Sequence, residues 1–300
     1  MKISPAKLKV VSRESRAQSR YSNGFGLQPS PLTLRPASAF TLIEVAISLA
    51  VIGIALVGII GVLPLGMNVQ RENREGTIVN QDATVFLEAI SKGAQGLDDL
   101  TNYVYAITNY WTLFDNNGNV TGGGGGIHNG YTHSSSSVNW PLSTGFLPLT
   151  NGFHIIGLMS TPQLTDMNGY PTNNLFSGGY SNHVYAYVRS LSGSAVEKPP
   201  QNNSIIQQDA FAYRLLCVNA AMPVDTNIFN LPPDQQTYSK QLAANLHELR
   251  LTFFWPIQPN GKVGLGRQTY RTLIAGKISH VYTNLNDLYF YQSQSFTNAP

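Results

Sequence analysis

Few residues in this chain are spaced to do chemistry, and the one that stands out is a carboxylate. Glu44 opens the apolar run Val45–Leu63 (VAISLAVIGIALVGIIGVL), which holds no charged residue and is interrupted only by Ser48 and three glycines. A carboxylate at the edge of such a run is costly to desolvate, so it seeks a cation or a set of donors. Cys217, the only cysteine, lies in Tyr213-Arg-Leu-Leu-Cys-Val; an intramolecular disulfide is impossible, and the residue reads as a small buried hydrophobe. His128, His133, His154, His183, His247 and His280 are scattered, with no HExxH spacing, and GxSxG and CxxC are absent. The run Gly122–Gly126 lacks the Gly-Lys-Ser/Thr of a phosphate loop and reads as a flexible loop. Asp115, Asn117 and Asn119 alternate like the first half of a calcium loop, but the sixth position is Val120 and the twelfth, Gly126, offers no carboxylate. No catalytic residue, metal site or cofactor is expected.

The elements around Glu44 are clearer than any active site. An apolar helix of this length covers the ~30 Å hydrocarbon core of a bilayer. Pro64 removes a backbone donor and should kink or end this first segment, so it is the expected weak point. Polar chain resumes at Asn68, and Val79, Ala83, Phe86, Leu87 and Ile90 then form a stripe of helical period. Arg71, Glu72, Arg74, Glu75, Asp82 and Glu88 fall mostly off that stripe, and Lys92-Gly93 is a natural stop. The expected order is a basic, disordered leader over 1–39, a transmembrane helix over 40–66, and an amphipathic helix over 67–96. A loop-rich irregular insertion over 97–150, within which Tyr103-Val-Tyr-Ala-Ile could be a strand, and a β-rich head over 151–300 follow. Candidate strands in the head are Phe153–Met159, His183–Ser190, Ala210–Asn219, Leu246–Pro256, Tyr270–Ile274 and Leu288–Gln292, with a short helix over 235–247. The fold class is α+β: a long N-terminal helix packed on an antiparallel sheet. Tyr103, Tyr105, Tyr110 and Trp111 are expected to anchor the core and loops.

Phe40-Thr41-Leu42-Ile43-Glu44-Val45, preceded by a basic leader and followed by an uninterrupted apolar helix, resembles the cleavage and methylation signature of type IV pilins and type II secretion pseudopilins. The resemblance implies that a prepilin peptidase cuts between Ala39 and Phe40 and N-methylates Phe40. It also implies that Glu44 meets the N-terminal amine of a neighbouring subunit. The family usually has Gly before the cut; Ala39 is also small enough for a peptidase subsite. LHELRLTFFWP followed by RQTYRTLIAG is, more distantly, similar to the C-terminal hairpin of larger minor pseudopilin-like proteins. The partners implied are the peptidase, other pilin or pseudopilin subunits, an inner-membrane assembly platform and the membrane.

Charge supports an exported head. The 300 residues carry a formal +3, but residues 1–39 hold seven cations against Glu14 alone, a net of +6 that leaves −3 for the rest. Basic residues before the helix keep the N-terminus cytoplasmic. Charged residues make up only 12% of the chain, about half the usual fraction for soluble proteins, which suits an extracytoplasmic protein. A balance of −3 does not favour a nucleic-acid surface, and none is expected. The function implied is that of a filament subunit, a minor pseudopilin or minor pilin, rather than an enzyme. The alternative is a signal-anchored periplasmic enzyme or ligand-binding protein, which would have no cut before Phe40 and would tolerate Glu44→Ala.

Overall fold

A computed structural model describes residues 40–94, 96–121, 127–134, 146–173, 178–193, 211–223, 230–258, 261–283 and 287–298. The leader with Ala39, and the glycine run 122–126, lie outside the described residues. The chain divides into two compact units at Gly61/Val62.

Helix α1 spans Leu42–Ser91, 50 residues, and runs through Pro64 without a break. Pro64 therefore does not end the segment: one backbone bond is lost, but its fixed φ is helical and the leucines on either side are good helix formers. In the first unit every helical side chain from Leu42 to Gly61 is exposed. In the second unit the amphipathic half buries Ile78, Val79, Ala83, Phe86, Ala89 and Ile90, following the expected stripe. The stop is also where the sequence places it. Gly93 takes a φ of 56° and its N–H reaches the Ile90 carbonyl at 3.0 Å, while the Ala94 N–H reaches Ala89 at 2.9 Å. A Cβ on Gly93 would lie 2.4 Å from the Tyr291 carbonyl oxygen, so this turn tolerates no side chain.

After a 3-10 turn at Asp98–Asn102 come β1 (Val104–Phe114), β2 (Ile127–Ser134), β3 (Phe146–Pro148), α2 (Gly152–Met159), β4 (Leu164–Thr165), β5 (Gly179–Arg189) and β6 (Ala212–Ala221). Then follow α3 (Pro233–Asn245), β7 (Leu246–Ile257), β8 (Val263–Ala275), β9 (Lys277–Tyr282) and β10 (Asp287–Gln292). The main sheet has the order β3-β2-β1-β5-β6-β7-β8, with β4 beside β5; β9 and β10 pair separately. All pairings are antiparallel except β2 with β3. The inner face carries Val184, Ala186, Val188, Tyr213, Leu215, Leu249, Leu251 and Phe253, which join the α1 stripe and α2 in one core.

Two expectations are corrected. The stretch 97–150 is not an irregular insertion: β1 lies between β2 and β5 within the sheet. Six consecutive buried residues and a bulge between Val104 and Ala106 hide the two-residue alternation by which a strand is recognised. Phe153–Met159 is helical rather than a strand. A short continuous apolar run is ambiguous between the two states, and Asn151 decides it by accepting the His154 N–H at 2.9 Å as an N-cap. Asn151→Ala should cost about 1 kcal/mol of head stability, measurable by urea denaturation, whereas Asn151→Ser should be nearly neutral.

Candidate functional site

The chemistry of the N-terminal motif begins with local geometry. Thr41 precedes α1, and its hydroxyl accepts the Glu44 N–H at 3.3 Å. Glu44 Oε2 in turn accepts the Thr41 N–H and the Thr41 hydroxyl, both at 2.9 Å. This reciprocal pair is a capping box, Thr-Leu-Ile-Glu, and it satisfies helix-end donors that would otherwise be orphaned. Ser48 is likewise satisfied on the Glu44 carbonyl at 2.8 Å. Phe40, 84% exposed, precedes a helix whose apolar side chains from Leu42 to Ile60 all lie open. The helix is long and apolar enough to cross a membrane. Glu44 thus has one carboxylate oxygen engaged by its own cap, while Oε1 carries none of these bonds.

A second carboxylate, Asp82, expected off the buried stripe, is instead fully buried. Its two oxygens accept four donors: the backbone N–H of Leu191 at 3.0 Å and of Ser192 at 2.9 Å, the Ser192 hydroxyl at 2.6 Å and the Tyr213 hydroxyl at 2.8 Å. The carboxylate fastens the amphipathic half of α1 to the end of β5 and to β6. Burial pushes its carboxyl above the ordinary range, and the hydrogen bonds pull in the opposite sense. The Tyr270 hydroxyl and the Gln268 amide add a further tie, both donating to Asn80 Oδ1. A helical-period pattern cannot reveal this role, because the donors come from residues more than a hundred positions away.

The histidines are mostly structural. His133 and His154 meet edge to face at 4.6 Å between ring centres, both buried. His247 is buried against Tyr291 at 5.6 Å and lines a cleft of about 690 Å³ with Asn219, Lys240 and Lys277. Burial pushes His154 down to about 4, with help from His133, and burial also holds His247 at about 4. The neutral form is therefore the folded form, against an ordinary value of about 6.5 in the unfolded chain. Their contribution to stability is complete above pH 6.5 and is lost as pH falls towards 4. Thermal melts between pH 7 and 4.5 should show the head losing stability with acid, and His247→Gln should reduce proton uptake on unfolding by about one.

Cys217 is buried and its thiol is pushed far up by desolvation, as an inert core residue would be. Asp115 accepts the N–H groups of Asn117 and Asn119, each at 2.8 Å, so its carboxylate closes its own turn and is held low by those bonds. Asp166 likewise accepts the N–H groups of Asn168 and Tyr170 at 2.9 and 2.8 Å, a matching turn that its Asp-x-Asn-Gly spacing could have disclosed. Tyr105 packs near Tyr187 at 6.2 Å and Tyr110 against Tyr185 at 5.8 Å, while Trp111 stacks on His128 at 4.6 Å, so these β1 aromatics anchor the sheet.

Residues 34–60 match the prokaryotic N-terminal methylation motif, the prepilin-type signature. The match covers the capping box and most of the exposed apolar helix, and marks the chain as a pilin-like substrate for prepilin-peptidase cleavage and methylation. With the apolar helix it supports membrane anchoring. No curated protein and no solved structure matches the chain.

Proposed function

From this motif we propose that the protein is a structural subunit of a type IV pilus or type II secretion filament, in the role of a minor pseudopilin or minor pilin. The observation that carries the reading is the methylation motif joined directly to the first stretch of α1, whose apolar side chains from Leu42 to Ile60 are all exposed. Such a helix is stable only in lipid or against other copies of the same kind of helix. Before assembly the N-terminus is cytoplasmic, the helix spans the inner membrane and the head lies in the periplasm, as the basic excess before the helix favours. Prepilin peptidase cuts between Ala39 and Phe40. The new amine of a neighbouring subunit then pairs with Glu44, two charges compensating each other in a dry environment, and the pair sets the axial register. Pro64 remains the proposed weak point at which the helix adjusts between bilayer and filament. The head makes the specific contacts with other subunits and the assembly platform, and no reaction is catalysed.

Intact mass and N-terminal sequencing of the protein from membranes containing a prepilin peptidase test this reading. The expected product starts at Phe40 and is heavier by one methyl group. A chain retaining its leader beside an active peptidase would overturn it.

A further inference from the structure

The outer face of the sheet carries an interaction surface that the summed charge conceals. Across β5, β6, β7 and β8, Tyr187, Arg214, Phe254 and Arg267 lie in one register row. The Arg214 guanidinium sits 4.8 Å from the Tyr185 ring centre and 5.3 Å from that of Phe254, and Arg267 also lies 5.3 Å from Phe254. Arg250 and Arg271 face each other across β7 and β8, with Glu248 at 3.3 and 3.7 Å from them. Among the described residues, this face of β6–β8 therefore presents four arginines, one acid and no lysine. Arginine and aromatic side chains in place of lysine are the composition of protein interfaces.

β8 adds a second, independent observation. It ends the sheet order, and among the described residues it pairs only with β7. Its 13 residues contain no proline. Alternate side chains Leu265, Arg267, Thr269, Arg271 and Leu273 are all exposed, Leu273 by 61% and Leu265 completely. A long edge with exposed leucines is a template for another strand, and natural proteins otherwise shorten, bulge or cover it.

We propose that β8 is the acceptor edge for an extended segment of a partner protein that joins the sheet as a further strand. Side chains opposite one another on neighbouring strands come within about 5 Å. The complementary segment therefore carries acids four residues apart, facing Arg267 and Arg271, and apolar residues beyond them facing Leu265 and Leu273. The acceptor pattern reads the same in both directions, so side-chain matching permits either strand direction. A nucleic acid would use the arginines but neither the bracketing leucines nor the β8 backbone edge, which no other described strand occupies. The inference is independent of filament assembly, because an uncleaved anchored protein would present the same strand.

The test uses the full chain in detergent micelles and a fluorescein-labelled peptide, VTETTTETV, followed by anisotropy. Saturable binding is expected, weakened at least tenfold by Arg267→Glu with Arg271→Glu. That double variant should instead bind VTKTTTKTV, which also shows that it is folded. N-methylation of the peptide amides along one edge should abolish binding, and along the other edge should leave it unchanged. Equal binding of both peptides by the unaltered protein, indifference to N-methylation along both edges, or displacement of the peptide by a dT20 oligonucleotide would each overturn the proposal.

Discussion

Asp82→Ala is expected to lower the unfolding free energy of the head by about 3–5 kcal/mol, because it orphans buried donors that cost roughly 1–3 kcal/mol each when left unmade. The Leu191 and Ser192 N–H groups and the Tyr213 hydroxyl all point at its carboxylate, and none can turn to solvent without moving the end of β5 or the core ring of Tyr213. Tyr213→Phe removes a single hydroxyl and keeps the ring, so it should cost less, about 1–2 kcal/mol. Asp82→Asn should fall between the two, since one oxygen still accepts while the amide faces donors. Denaturation of the three variants in detergent micelles, followed by tryptophan fluorescence, gives the ranking. If Asp82→Ala cost no more than Tyr213→Phe, the carboxylate would not be what holds α1 to the head.

Glu44→Ala should abolish incorporation into filaments while leaving the protein in the membrane at normal levels. Two effects are combined in that loss, and Glu44→Gln separates them. Glutamine at the third helical position still completes a capping box with Thr41, whereas it cannot compensate a neighbour's amine. The cap alone is worth about 1 kcal/mol, too little to remove a membrane helix. Loss of assembly in Glu44→Gln, with unchanged helicity and unchanged cleavage before Phe40, would assign the role to the charge. Normal assembly of Glu44→Gln alongside failure of Glu44→Ala would assign it to the cap. Sheared-filament fractions probed for each variant beside membrane fractions provide the readout.

What the sequence determined by itself is local. The apolar run, the stripe from Val79 to Ile90 and the stop at Gly93 each depend on residues within a few turns of one another, so period and cap chemistry reveal them. The strands β5, β6, β7 and β8 were legible for the same reason, since alternation across a half-buried sheet is written along a single strand. Tertiary structure alone decided the rest. β1 lost its alternation to a bulge and to burial along its first half, whereas α2 turns on a local signal, the Asn151 N-cap three residues before His154, which a continuous apolar run masks. Asp82 looks like a solvated charge until residues 191, 192 and 213 close around it. The arginines on β6, β7 and β8 are dilute along the chain and dense on the sheet, because pleating and register gather every second residue of three separated segments onto one face.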